Sequence, residues 1–113
     1  MNIPKEKINI RVNTTLFYKD KSHEVDIFNR DPLIVGEVTT YLENIEEAKE
    51  EIGKIIDDVK FVEEMFNEKI FMSILGVANA PEEVIDFLKE ECEKLKIKLF
   101  YGLISFSMIF HSF

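Results

Sequence analysis

Hydrophobic and polar residues alternate along the first third of the chain in the manner of β-strands. Ile8, Ile10 and Val12 alternate with polar residues, and β-branched and aromatic residues stay frequent up to residue 18. Two polar turns, at residues 19–22 and 29–32, interrupt the pattern. Because such short turns join neighbouring antiparallel strands, we predict a three-stranded meander over residues 7–18, 23–28 and 33–40.

Two later segments carry the three- and four-residue hydrophobic spacing of amphipathic helices. The first, over residues 44–66, begins with Asn44 as a cap and has Glu47 three residues later, which is the pattern of a capping box. The second begins at Pro81 and has acidic residues in its first turn. A strand is predicted after each helix, over residues 69–77 and 98–101. Helical crossovers join parallel strands, so the order β-β-β-α-β-α-β predicts a mixed α/β sheet flanked by helices.

Length and charge limit the classes of protein to consider. The 113 residues suffice for one domain, which we assign to residues 1–102, followed by a hydrophobic tail over residues 103–113. Asp and Glu outnumber Lys and Arg by 22 to 14, and the net charge of −8 does not predict the basic face of a dedicated nucleic-acid binder. The chain lacks Gln and Trp and is rich in Lys, Glu and Ile, which is typical of proteins from hot environments.

Cys92 is the single cysteine of the chain, so no intramolecular disulfide can form. This is typical of proteins in a reducing cytoplasm. Cys92 follows the hydrophobic spacing of the second helix, and we interpret it as a core residue and not a reactive thiol. The first residues show no signal-peptide pattern, and no hydrophobic run has the length of a membrane-spanning helix. We therefore expect a cytoplasmic protein.

Glu37 is the residue that the predicted sheet does not explain. It lies in the hydrophobic run of residues 33–38, where a carboxylate is costly unless it is paired, protonated or bound to a cation. The preceding turn brings Asp26 alongside it on the neighbouring strand, whereas strict alternation places His23 on the face opposite Asp26. Two converging carboxylates offer hard oxygen ligands to Mg²⁺ or Mn²⁺, and such an ion activates water and neutralises a phosphodiester.

These residues resemble the PD-(D/E)XK nuclease superfamily. That family has an Asp on the second strand and an acidic-X-Lys motif on the third. A similar pattern is formed here by residues 24–27 (EVDI), a turn with Pro32, and residues 33–39 (LIVGEVT). The Gly-Glu-Val-Thr form of the motif is similar to small archaeal proteins of unassigned function. Over residues 7–102 the resemblance implies a restriction-endonuclease-like fold. It also implies a metal site, with Asp26, Glu37 and the Val38 backbone carbonyl as ligands.

The chain departs from this family at two places. Thr39 occupies the position of the family's lysine and cannot supply a positive charge. Some relatives recruit a lysine from the following helix, which here offers Lys49, Lys54 and Lys60. The family's N-terminal helix has no counterpart, because residues 1–6 are too few to form it. The catalytic residues that the resemblance implies are therefore Asp26, Glu37 and Thr39, with Lys60 as the replacement lysine.

Two functions follow from these patterns. The first is hydrolysis of a phosphodiester in nucleic acid with a bound divalent metal. The alternative is a catalytically inactive nuclease-fold module that acts through oligomerisation or a protein partner, and the missing lysine and the acidic charge favour it.

Residues 103–113 carry no charge when His111 is neutral. Such a hydrophobic segment would pack on its own core, on a second subunit or on a membrane, or it would result from a shifted or truncated reading frame. Packing within a homodimer is the interpretation that we favour.

Overall fold

Five strands and two helices form in residues 10–102, the part of the chain that the structure, a computed structural model, describes. In chain order they are β1 (Arg11–Tyr18), β2 (Lys21–Asn29), β3 (Ile34–Tyr41), α1 (Ile45–Phe66), β4 (Met72–Asn79), α2 (Glu82–Leu95) and β5 (Ile97–Tyr101). The prediction of a mixed α/β fold is confirmed at this level, although β4 begins at Met72 and not at residue 69. Residues 7–9 of the predicted first strand and the predicted tail over residues 103–113 lie outside the described residues.

The strands lie in the sheet in the same order as in the chain, β1-β2-β3-β4-β5. The first two pairings are antiparallel, and the pairings of β3 with β4 and of β4 with β5 are parallel. The two crossovers run in the same direction along the sheet, from β3 to β4 and from β4 to β5, and crossovers of one hand then place both helices on one face. Consistent with this, α1 and α2 pack together against Leu75 and Val77 of β4. Glu37 pairs in register with Leu75, so its side chain also points to the helices.

Helix α1 has the predicted start. The Asn44 side chain accepts a hydrogen bond from the Glu47 backbone N–H at 2.9 Å, and the Glu47 carboxylate accepts one from the Glu43 N–H at 2.7 Å. The helix ends at Asn67, which adopts the left-handed conformation with φ of 51°. The buried face of α1 is mostly hydrophobic, but it also carries two carboxylates: Ala48, Glu51, Ile52, Ile55, Asp58 and Val62.

The core between the sheet and the helices has two parts. The larger one lies between α1, α2 and β4 and includes Cys92, which is 2% exposed, as its prediction as a core residue requires. Burial raises the pKa of the Cys92 thiol to about 11. The second part joins Val62 of α1 to the meander, and Val59 packs against both parts. Among residues 10–102, neither helix has the length and hydrophobicity needed to cross a membrane.

Gly36 permits a close approach between β3 and β4. A Cβ atom at this position would meet the backbone oxygen of Ile74 at 2.7 Å and its Cβ at 2.9 Å. No side chain fits there without a shift of the β4 backbone. The glycine therefore fixes the spacing of the two strands next to Glu37.

Candidate functional site

The β2–β3 ladder opens where the two predicted carboxylates lie. Backbone pairing of these strands extends as far as Ile27 with Gly36. At the next position, hydrogen bonds to side chains replace the backbone pairing. The Val38 N–H donates to Asp26 Oδ2 at 3.0 Å, and the Asp26 N–H donates to Glu37 Oε2 at 3.4 Å. The structure thus brings Asp26 and Glu37 together, with each carboxylate bonded to the backbone of the opposite strand.

Helix α1 adds three charged residues to this pair of carboxylates. Glu51, Lys54 and Asp58 are three and four residues apart and so lie on one face of the helix. Asp58 is 1% exposed, and the Lys54 ammonium pairs with Glu51 Oε1 at 2.8 Å. The Lys54 pKa is raised, mainly by Glu51 and to a smaller extent by the charges of Glu37 and Asp26. Lys54 is therefore the lysine of α1 whose charge acts on the cluster.

His23 also belongs to the site. Its Nε2 lies 2.5 Å from Asp58 Oδ1, and its ring stacks on Phe61, with the ring centres 4.8 Å apart. The histidine is partly exposed, whereas the Asp58 side chain is almost fully buried. His23 therefore links the buried carboxyl to the surface of the protein.

Strict alternation placed His23 on the face opposite Asp26, but the structure places it on the same side as the carboxylates, where it bonds to Asp58. Alternation fails because the strands are distorted near Asp26. Asn13 of β1, with φ of 49°, lies between the residues that pair with Val25 and Ile27, where it faces Asp26. In consequence Val25 and Phe28, three residues apart, both enter the core on the helix side.

The carboxyl groups of Glu37 and Asp58 share one buried environment. Burial, followed by the hydrogen bond to Asp58 and its charge, raises the pKa of Glu37 to about 9. Burial and the charges of Asp26, Asp57 and Glu51 likewise raise the pKa of Asp58, although its bond with Glu37 opposes this. Both shifts favour the protonated form of the pair, and the shift of Glu37 is the larger one.

The surroundings of Asp58 Oδ2 indicate where a proton is needed in the cluster. With all carboxyls ionised, it is the one fully buried side-chain polar atom within residues 10–102 that lacks a hydrogen-bond partner. A protonated Glu37 supplies the missing donor, which agrees with the raised pKa of Glu37. The cluster therefore needs a positive charge or a proton between its carboxyl groups.

Two of the residues assigned to the site from sequence do not join the cluster. The Thr39 hydroxyl donates to the Tyr41 backbone oxygen at 3.5 Å. Lys60 lines a hydrophobic cavity with Ile56 and Phe71. It follows Asp58 by two residues, which is about 200° around a helix axis. The structure thus places Lys54, and not Lys60, near the carboxylates.

The donor set suits a hard cation, but its present arrangement is not a closed metal site. Across residues 10–102, no three His, Cys, Asp or Glu groups are placed to hold one ion together. The available atoms are carboxylate oxygens, which Mg²⁺ and Mn²⁺ prefer, and the unpartnered Asp58 Oδ2 is one of them.

Comparisons with family models, with curated proteins and with solved structures found no match to this chain. Two strand carboxylates, a buried helix carboxyl, a histidine and a lysine meet on the helix side of the sheet, beside the opened β2–β3 ladder. This set is suited to binding a divalent cation or to transferring a proton.

Proposed function

We propose that this chain is a PD-(D/E)XK-type nuclease domain, with a restriction-endonuclease-like fold, that hydrolyses phosphodiesters in nucleic acid with Mg²⁺ or Mn²⁺. The observation that carries the proposal is the reciprocal bonding of Asp26 and Glu37 at the point where β2 and β3 separate. The sequence resemblance assigns its metal ligands to these same two residues. We further propose that the protein is cytoplasmic.

Asp26 and Glu37 would hold the cation, with the Val38 carbonyl as a third ligand. When bound, the metal supplies a nucleophilic water and neutralises charge on the phosphate. Glu37 must release its proton to bind the ion, because a protonated carboxyl is a poor ligand. Asp58 lies against Glu37 and would orient it, and its Oδ2 atom would be a further oxygen donor for the ion.

Lys54 and His23 would serve the reaction from the edge of the cluster. Lys54 is largely exposed and is the lysine beside the carboxylates, so it would take the place of the family's lysine at Thr39. Its ammonium would stabilise negative charge on the phosphate. His23 holds Asp58 in a fixed orientation through its Nε2 atom.

A catalytically inactive module is the second candidate function. Its support is the depth of the cluster, since Glu37 is 7% exposed and Asp58 is 1% exposed. A nucleic-acid backbone would have to reach these groups on a protein with a net charge of −8. In this alternative the domain acts through a protein partner or as a homodimer in which residues 103–113 pack, and sedimentation of the full chain at the mass of a monomer would exclude the homodimer.

The deciding experiment is a calorimetric titration of Mn²⁺ into the wild type, Asp26→Asn and Glu37→Ala. Glu24→Ala is the matched control, because Glu24 is an exposed carboxylate of the same strand. Each protein is then assayed on single- and double-stranded DNA and RNA. We expect binding and cleavage in the wild type and the control, and loss of both in the two site variants. Equal binding by all four proteins would refute the site, and binding without cleavage would leave the inactive module.

A further inference from the structure

A hydrophobic cavity of about 430 Å³ lies on the side of α1 turned away from the carboxylates. It is lined by side chains of α1, by the end of α2 and by the first residues of β4 and β5. Ile56, Phe71 and Leu95 border it and are 37%, 39% and 45% exposed. Large hydrophobic side chains that stay this exposed around one concave site mark a binding surface.

Two lysines, Lys60 and Lys96, complete the lining of this cavity. Both are exposed, and neither forms an ion pair with any residue from 10 to 102, whereas Lys49, Lys54 and Lys94 do. Lys96 is held in place because it ends α2 in the left-handed conformation, with its N–H bonded to carbonyls of the last turn. Within residues 10–102, an acidic protein thus presents two unpaired cations at a hydrophobic concave surface.

We propose that this cavity binds a small amphipathic anion, a molecule with a hydrocarbon or aromatic body and a carboxylate or sulfonate head. The body would displace water from Ile56, Val59 and Leu95, which is favourable because apolar surface leaves water. The head would pair with the ammonium groups of Lys60 and Lys96. The volume falls within the range of roughly 300–1,000 Å³ that is typical of small-molecule sites.

The inference is independent of the proposed nuclease function. Lys60 and Asp58 point from different faces of α1, so the cavity and the carboxylate cluster share no lining residue. Failure of metal binding therefore leaves the cavity proposal intact, and the reverse also holds.

The test uses the full chain and the anionic fluorophore 1-anilinonaphthalene-8-sulfonate. We expect saturable binding at one site per chain and displacement by octanoate. Octanol has the same hydrocarbon chain without the charge, and we expect it to displace the fluorophore only at about tenfold higher concentration or more, since it lacks the ion pairs. Absence of saturable binding, or equal displacement by octanoate and octanol, would overturn the proposal.

Variants assign the binding to this cavity. Lys60→Glu and Lys96→Glu should each raise the octanoate concentration for half displacement about tenfold, whereas Lys21→Glu, on β2, should not. Ile56→Trp should fill the cavity and abolish binding, with Tyr41→Trp as the control at another exposed hydrophobic position. Circular dichroism confirms that each variant is folded. Unchanged binding in Ile56→Trp, or equal effects of the three lysine reversals, would contradict the assignment.

Discussion

His23 and Asp58, thirty-five residues apart in the chain, meet through a hydrogen bond of 2.5 Å between Nε2 and Oδ1. The bond joins β2 to α1 at a carboxyl that water cannot reach, because the Asp58 side chain is 2% exposed. The same carboxyl also interacts with Glu37 and with the charge of Asp26, both on the strands. The helix and the meander are thus joined by polar groups as well as by the hydrophobic core.

We predict that His23→Ala lowers the free energy of unfolding by about 1–3 kcal/mol, the usual cost of a buried polar group that loses its partner. Urea denaturation measures this value. The double-mutant cycle with Asp58→Asn separates the hydrogen bond from the loss of the stacking on Phe61. A coupling energy near zero between the two substitutions would contradict a stabilising bond.

Stability should decrease as the pH rises from about 5 to about 9. The Glu37 pKa is raised from 4.5 to about 9 in the folded protein, so over this interval the folded state binds more protons than the unfolded state. Linkage then requires the free energy of unfolding to fall with pH. The raised pKa of Asp58 acts in the same direction. Urea unfolding without divalent metal, at closely spaced pH values, measures how the free energy of unfolding changes with pH.

Glu37→Gln provides the matched test of that pH dependence. The amide keeps a donor toward Asp58 and cannot ionise. We expect the variant to have a flatter pH profile and to be more stable than the wild type at pH 8.5. A profile as steep as that of the wild type would show that other groups cause the slope.

Two glycines should respond to alanine in opposite directions. Gly36→Ala should destabilise the protein by about 1–3 kcal/mol, since the added Cβ meets the Ile74 backbone at 2.7 Å. Gly53→Ala should stabilise it by roughly 0.5–1 kcal/mol, because that site lies inside α1 and nothing is within 4 Å of the new atom. Thermal and urea denaturation of both variants test this, and equal effects would be inconsistent with the close approach of β3 and β4 at Gly36.

If the chain cleaves nucleic acid, Lys54→Gln should reduce the rate at saturating Mn²⁺ by about a hundredfold, as expected when a charge-stabilising donor is removed. Lys60→Gln should leave the rate unchanged, because Lys60 lines the hydrophobic cavity. Single-turnover cleavage measures both rates. A loss confined to Lys60→Gln would favour the lysine that the sequence resemblance suggested.

Local patterns were sufficient for the features that depend on neighbouring residues. The cap of α1 follows from Asn44 and Glu47, and the meander follows from its two polar turns. Glu37 was identifiable because a carboxylate interrupts a hydrophobic run. Its adjacency to Asp26 required only a short turn between two strands.

The rest of the site depends on how α1 is rotated against the sheet. Asp58 lies three residues after Ile55 and four before Val62, both buried, so its place on the hydrophobic stripe was a readable signal. The same rotation decides between Lys54, four residues before Asp58 and on the same face, and Lys60, two residues after it. His23 required knowledge of the distorted strand opposite Asn13, which periodicity cannot supply.

The order of the strands bears on how the chain folds. Since each strand pairs with the next one along the chain, the meander can form from short loops before α1 is in place. If the meander forms first, Asp26 and Glu37 meet while water still reaches them, and Asp58 joins them only when the helix packs on the sheet. Helix packing is then the step that removes water from these carboxylates and completes the domain.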